Sequence, residues 1–451
     1  MIRSFFLTAK PLLALMLPIL GTQLAQTGMG VVDTLVAGMA GTVDLAAIAV
    51  GSSIWIPVVL LVSGILVALT PLVAHAKGAK DKHRSREVLQ QGLYLSVIIG
   101  LVAMTALLTL TRPIMELMDV TPELLAPTEQ YLTYIAYGLP AVAIYQAFRS
   151  YNEAINLTKP VTVIAVLSLL LNIPLNMMFV LGFGPIEAMG GPGCGLASLI
   201  IFYLAMFAVL LYTLLSSHHD KIRPLKHFAG PHGTLIKQLA VIGIPIGLAI
   251  FVETSLFCVI ALFIARLGAD AVAAHQIALN VSSLLFMVPL SLALALTVRV
   301  GQELGKQKPE YAKTVWKNAL LVNLLLSSIN ASLLLIFKDS IVGIYTQDSG
   351  VVALATHLLL FAALYQLSDG LQVGAAGALR GYKDTLVTLV LTIISFWIIG
   401  LPLGYYLGLS QSAPMGAEGF WIGLVAGLSV NALLLITRLI HVTRRTLQPI
   451  S

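Results

Sequence analysis

Residues 239–265 read LAVIGIPIGLAIFVETSLFCVIALFIA, an apolar run with one formal charge, Glu253, near its middle. About 20 apolar residues in a helix cross a hydrocarbon core, so the run is long enough to span a membrane. Such runs, separated by charged or Gly/Pro-rich punctuation, fall near 11–36, 46–75, 88–110, 128–149, 160–181, 193–215, 237–264, 272–298, 314–337, 351–373, 385–408 and 419–441. Composition agrees, with 10% charged residues and a mean hydropathy of +0.94, where a soluble domain carries about 25% charged residues. The chain reads as an all-α integral membrane protein with twelve transmembrane helices. Its net charge of +6 is then a matter of topology, and no nucleic-acid partner is expected. The first apolar run, flanked by Arg3 and Lys10, is too long for the core of a cleavable signal. Cys194, in a Gly-rich loop, and Cys258, mid-span, give no disulfide framework.

The distribution of Lys and Arg tests the span count. Loops on alternate sides, counted from the N-terminus, hold all of the 26 basic residues except Arg112, Arg266 and Lys338. The positive-inside rule places both termini and the segment 216–236 in the cytoplasm.

A shift of 227 positions superposes the two halves of the chain. Pro18 falls on Pro245, Gly41 on Gly268, Leu69-Thr70 on Leu296-Thr297, and Gly78 on Gly305. Six helices per half is an even number, so both halves start on the same side of the membrane. The expected architecture is two six-helix bundles, 1–215 and 237–451, related by a pseudo-two-fold axis along the membrane normal. The polar segment 216–236 reads as a cytoplasmic tether.

Three acids lie well inside spans: Asp33 in the outer half of the first, Glu253 in the seventh and Asp369 in the tenth. An Asp at the centre of a membrane helix costs about 2.5–3.5 kcal/mol on insertion scales, so each needs water, a partner or the protein interior. None has an obvious basic partner within a span. Polar and aromatic residues recur at helical spacing around them: Gln26 with Asp33, Glu253 with Phe257, Tyr365 with Asp369, and Gln276 with Asn280 and Ser283. Residues so spaced share a stripe, which makes an acidic, aromatic-lined cavity plausible; Gln276 and Asn280 equally suit interhelical hydrogen bonding. His275 and His357 lack a second His or Cys at ligand spacing and read as packing or interface residues. In-span prolines (Pro18, Pro57, Pro140, Pro174, Pro245, Pro289 and Pro402) permit helix bends. No Walker loop, kinase motif set or nucleophile elbow occurs, so neither an ATP-driven pump nor an enzyme has support.

Several stretches together resemble the multidrug and toxic compound extrusion (MATE) transporters, close to the NorM type. They are QTGMGVVDTLVAG from Gln26, FVETSLF from Phe251, AAHQIALNVSSLLFMVPLSLALALTVRVGQELG from Ala273, YQLSDGLQV from Tyr365, LRGYKDT from Leu379 and PMGAEGFWIGL from Pro414. The resemblance covers essentially the whole chain. It implies a V-shaped pair of bundles in a bacterial inner membrane, exporting cationic lipophilic drugs and dyes in exchange for Na+ or H+ by alternating access. It places a transient Na+ or proton at Glu253 and Asp369 with Tyr365 beside them. Asp33 becomes the first-half acid that handles proton or drug, and Pro18 the bend of the first helix. No cofactor is expected, and a monomer in membrane lipid suffices. A lipid-linked oligosaccharide flippase of the same superfamily is the alternative, but its anionic cargo calls for basic rather than acidic in-span charges.

Overall fold

The computed structural model describes residues 2–219, 223–226, 228–409 and 414–448, so residues 220–222 and 227 of the 216–236 segment lie outside the described residues. The first half folds as α1 (Ile2–Ala40), α2 (Thr42–Leu66), α3 (Leu69–Gly78), α4 (Lys82–Leu117), α5 (Pro122–Ala154), α6 (Thr158–Val180) and α7 (Gly191–Leu215). The second folds as α8 (Gly233–Ala265), α9 (Ala269–Gly305), α10 (Pro309–Tyr345), α11 (Ser349–Gly381), α12 (Leu386–Ile393), a π-helical turn (Ile394–Gly400), α13 (Leu401–Leu409) and α14 (Ala417–Leu447). With α2–α3 and α12–α13 each taken as one span, 11 spans among the described residues are long and apolar enough to cross a membrane.

The expected span at 128–149 is the one not among them, although it lies within α5, a helix of 33 residues. Its position explains its polarity. α5 packs against α2, α4 and α7, and its last ten residues, from Tyr145 to Ala154, are all buried. A helix enclosed by protein need not be apolar all round as one facing lipid must be. Cys194, expected in a loop, instead lies in the first turn of α7.

The repeat extends to the backbone turns. Helix starts at Thr42 and Ala269, Lys82 and Pro309, and Pro122 and Ser349 are each 227 residues apart. So are the left-handed residues that end helices, Lys80 (φ 60°) with Gln307 (φ 58°) and Asn156 (φ 67°) with Lys383 (φ 63°). A residue in this conformation after a helix satisfies its last carbonyls and stops it. The register then slips. Ser168 and Ser395 still match at 227, but Pro174 and Pro402 are 228 apart. One extra residue therefore lies where the second copy has its π-helical turn and α6 runs without interruption.

The described chain divides into two compact units, Pro18–Gly247 and Met1–Leu17 together with Leu248–Ser451. Both boundaries fall within helices, α1 and α8, beside the matched prolines Pro18 and Pro245. Proline removes a helix hydrogen bond, and the Pro18 carbonyl accepts from the Thr162 hydroxyl at 2.6 Å. The segment after α7 is anchored rather than a free tether. Gln90 donates to the Pro224 carbonyl and accepts from the Ala229 amide, both at 3.0 Å. Gln91 donates to the Gly230 carbonyl at 3.0 Å and accepts from the His232 amide at 2.6 Å. At the start of the segment, buried His219 stacks on Tyr151 and shares a 3.0 Å hydrogen bond with Asn152.

In the other unit, α11 packs against α9, α10 and α14, while α13 lies close along α14 through facing glycines. A β-carbon on Gly423 would stand 2.5 Å from the Gly404 Cα, a contact no side chain tolerates. Small residues at such seams let helix backbones approach, a main source of helix association in lipid.

The paired glutamines generate a prediction. Replacing Gln90 and Gln91 by Leu should leave the helices intact but open the segment to trypsin at Lys226, with cleavage at least about tenfold faster, since four modest hydrogen bonds are lost. Unchanged cleavage in limited proteolysis would show that the segment is held by other contacts.

Candidate functional site

Each unit buries one of the in-span acids Asp33 and Asp369, and the two surroundings are built differently. In the unit Pro18–Gly247, Asp33 of α1 is 7% exposed. One carboxylate oxygen accepts from Asn176 at 2.8 Å and Asn172 at 3.2 Å, both on α6. The other accepts from the Ser198 hydroxyl of α7 at 3.3 Å, and the Cys194 thiol donates to the Asp33 main-chain carbonyl at 3.5 Å. Asn172 and Asn176 are four apart, so they share a face of α6. Three neutral donors thus solvate a carboxylate in place of water, without neutralising it.

Gln26, expected to share Asp33's stripe, belongs to a different cluster. Its side-chain oxygen accepts from Arg149 at 3.0 Å, and Gln23 accepts from the same guanidinium at 2.6 Å. Arg149 also pairs with Glu153 at 2.8 Å, with both side chains nearly buried. Arg149 is therefore an interior residue of α5, where the sequence suggested a loop-side charge.

In the second unit, Asp369 of α11 is fully buried, and neither of its carboxylate oxygens has a hydrogen-bond partner. Glu253 of α8, half-buried, acts electrostatically on Asp369 and on Tyr365. Two carboxylates that feel each other in a poorly screened interior repel, and a bound cation or proton relieves the repulsion. Arg380, near the end of α11, is buried, and its charge reaches Glu253 although the two form no ion pair. Arg380 stands 227 residues after Glu153, and Glu253 stands 227 after Gln26. The two units thus place an arginine near matched polar residues but carry the acid at different positions.

Aromatic side chains join this second centre. Phe257 meets Tyr365 edge-on at 6.4 Å, and Tyr365 meets Trp421 at 6.2 Å. The Trp421 indole donates to Nδ1 of buried His275 at 3.1 Å, so His275 has a packing role. One turn from Asp369, Gln366 donates to the Ser282 carbonyl at 3.5 Å and leaves its side-chain oxygen unpartnered. Gln276, Asn280 and Ser283 are not part of this buried group. They lie on an exposed face of α9, where Gln276 donates to Asn280 at 3.1 Å. Among the described residues no group of three or more His, Cys, Asp or Glu could hold a metal ion.

Asn172, Asn176, Ser198 and Gln366 were not picked out by sequence. The signal for the asparagines was present as two amides four residues apart in the apolar run LLLNIPLNMMF. The register of the repeat sharpens it. Ile260 matches Asp33, while Gly400 and Gly404 match Asn172 and Asn176 once the extra residue is allowed for. The Asp33 site thus has no second copy.

A family model described as MatE matches the chain twice, over residues 18–178 and 245–406. The chain belongs to the MatE family. The two matches start 227 residues apart and end 228 apart, as the extra residue requires. This MatE protein is 43% identical to the multidrug resistance protein PmpM of Pseudomonas aeruginosa over 97% of this chain and 92% of that protein. It is 42% identical to the multidrug resistance protein MdtK of Proteus mirabilis over 98% of each. It is 43% identical to a probable multidrug resistance protein NorM of Shewanella oneidensis over 97% of this chain and 95% of that protein. The fold matches a crystal structure of a eukaryotic MATE transporter with a TM-score of 0.88 at 21% identity, covering 98% of this chain and 99% of that one. An outward-facing MATE family transporter matches with a TM-score of 0.89 at 19% identity, covering 97% and 96%.

The hydrogen bonds to Asp33 lead to a prediction for the MatE protein. A double-mutant cycle of Asp33→Asn and Asn176→Leu, read by thermal unfolding in detergent, should give a coupling of about 1–2 kcal/mol. Additive effects would mean that Asn176 does not hold the carboxylate.

Proposed function

We propose that this protein is a secondary active exporter of cationic, lipophilic drugs and dyes, driven by inward movement of Na+ or H+ and working by alternating access. The observation that carries the reading is Asp369, a fully buried carboxyl with both oxygens unpartnered and its charge acted on by Glu253. The family of the chain, and relatives named as multidrug resistance proteins, support the class of cargo. In this reading Glu253 and Asp369 hold the coupling cation, Tyr365 borders it, and Asp33 answers to proton or drug. Each charge moved inward across 100 mV yields about 2.3 kcal/mol, and competition between cation and cargo converts that energy into export. The protein acts as a monomer in the bacterial inner membrane, with both termini cytoplasmic.

Proteoliposomes loaded with ethidium and given a Na+ or a proton gradient test this. Glu253→Gln and Asp369→Asn should each abolish gradient-driven efflux while the protein still inserts and unfolds cooperatively. An acidic centre should also favour cationic over anionic dyes of matched size, because like charges repel strongly where screening is poor. Normal efflux by the doubly neutralised protein, or equal rates for the two dyes, would overturn the proposal.

A further inference from the structure

The extra residue in the second copy has a local consequence at α8. One residue inserted into a helix whose two ends keep their places is absorbed as a wider turn, and such π-helical turns are rare and frequent at functional sites. The turn is Ile394–Gly400, where the Leu401 amide reaches back to the Phe396 carbonyl. Pro402, with no amide hydrogen, removes the next donor. Within this turn Trp397 donates its indole N–H to the main-chain carbonyl of Val252, at 3.1 Å. That carbonyl also accepts from the Ser255 hydroxyl at 2.9 Å. Val252 immediately precedes Glu253.

The first unit has no counterpart to this contact. The residue matching Val252 is Ala25, and between Ser168 and Asn172, the matches of Ser395 and Gly400, an uninterrupted α6 has only Leu169, Leu170 and Leu171 where the turn has Phe396–Ile399. The residue matching Glu253 there is Gln26, which an arginine already holds. The π-helical turn and its tryptophan thus occur in the unit that carries the acid pair. Side-chain donors that draw a carbonyl away from the helix axis tilt its peptide plane, and the peptide after Val252 carries the Glu253 backbone.

We propose that Trp397 is a positioning residue for the Glu253 centre, with its indole N–H fixing the α8 peptide that orients the Glu253 carboxyl towards Asp369. The inference rests on the reading of Glu253 and Asp369 as the coupling-cation site. It differs from the simpler need of any membrane indole for an acceptor, because it ties the bond to cation affinity.

The test removes the donor and keeps the shape. Trp397 is replaced, by nonsense suppression, with benzothienylalanine, in which sulfur takes the place of the indole N–H, and Trp397→Phe is made alongside. Ethidium export from proteoliposomes is driven by whichever ion, Na+ or H+, drives the unaltered protein. The analogue should raise the half-saturating concentration of that ion about three- to tenfold, the effect of one hydrogen bond. The half-saturating ethidium concentration and the unfolding temperature should not change. An unchanged ion requirement overturns the proposal, as does an equal shift in ethidium requirement or unfolding temperature. Glu253→Gln run in parallel separates the two levels. Normal export by that variant removes the cation-site reading and this inference with it, whereas lost export with a silent analogue removes the inference alone.

Discussion

An ionisable side chain in a bundle that crosses hydrocarbon must be given hydrogen bonds, an opposite charge or a mobile ion, because the lipid supplies none of them. The three in-span acids receive different answers. Asp33 is solvated by two asparagines and a serine. Glu253 is reached by the charge of Arg380 and in turn acts on Asp369. Asp369 is fully buried with both oxygens unpartnered. The arrangement of the surrounding helices follows from these needs. α5 and α11, the central helices of the two units, carry the buried arginines, and α6 carries the amides that reach Asp33.

Duplication supplied two copies of one scaffold, and the copies have diverged where these acids sit. The backbone repeats down to the left-handed residues that end the helices, so the chemical differences are substitutions on a common frame. Where the first copy has Asn172 and Asn176, the second has Gly400 and Gly404, and the volume given up lets α13 close on α14. A site is thereby replaced by packing in one unit. In the same unit an acid appears at the position of Gln26, and one extra residue turns Trp397 onto the adjoining peptide. Divergence of this kind gives two unequal centres within one fold.

Much of this was legible in the sequence because hydrocarbon imposes long apolar runs and the repeat preserves punctuation. The offset of 227 and the three acids were both visible there. α5 was visible as a run, although it is too polar to qualify as a span on apolarity once it is known to be enclosed. What was not legible depended on helix rotation and depth. Arg149 and Arg380 lie near helix ends, where basic residues usually face water, and only packing shows that both point inward. Gln26 and Asp33 share a helical spacing, yet they meet different neighbours because α5 approaches one and α6 the other. The anchoring of the segment after α7 rests on two adjacent glutamines that carry no distinctive pattern.

The central claim is that the two centres divide the work, with Glu253 and Asp369 holding the coupling cation while Asp33 serves proton or drug. Binding of radioactive Na+, and proton release on ligand addition, can be compared in purified Asp33→Asn and Asp369→Asn proteins. The account predicts that Asp33→Asn keeps cation binding within about twofold of the unaltered protein, a difference of less than 0.5 kcal/mol by the usual conversion (about 1.4 kcal/mol per tenfold), while Asp369→Asn loses it. Equal loss in both would show that the units share a single site and would contradict the division.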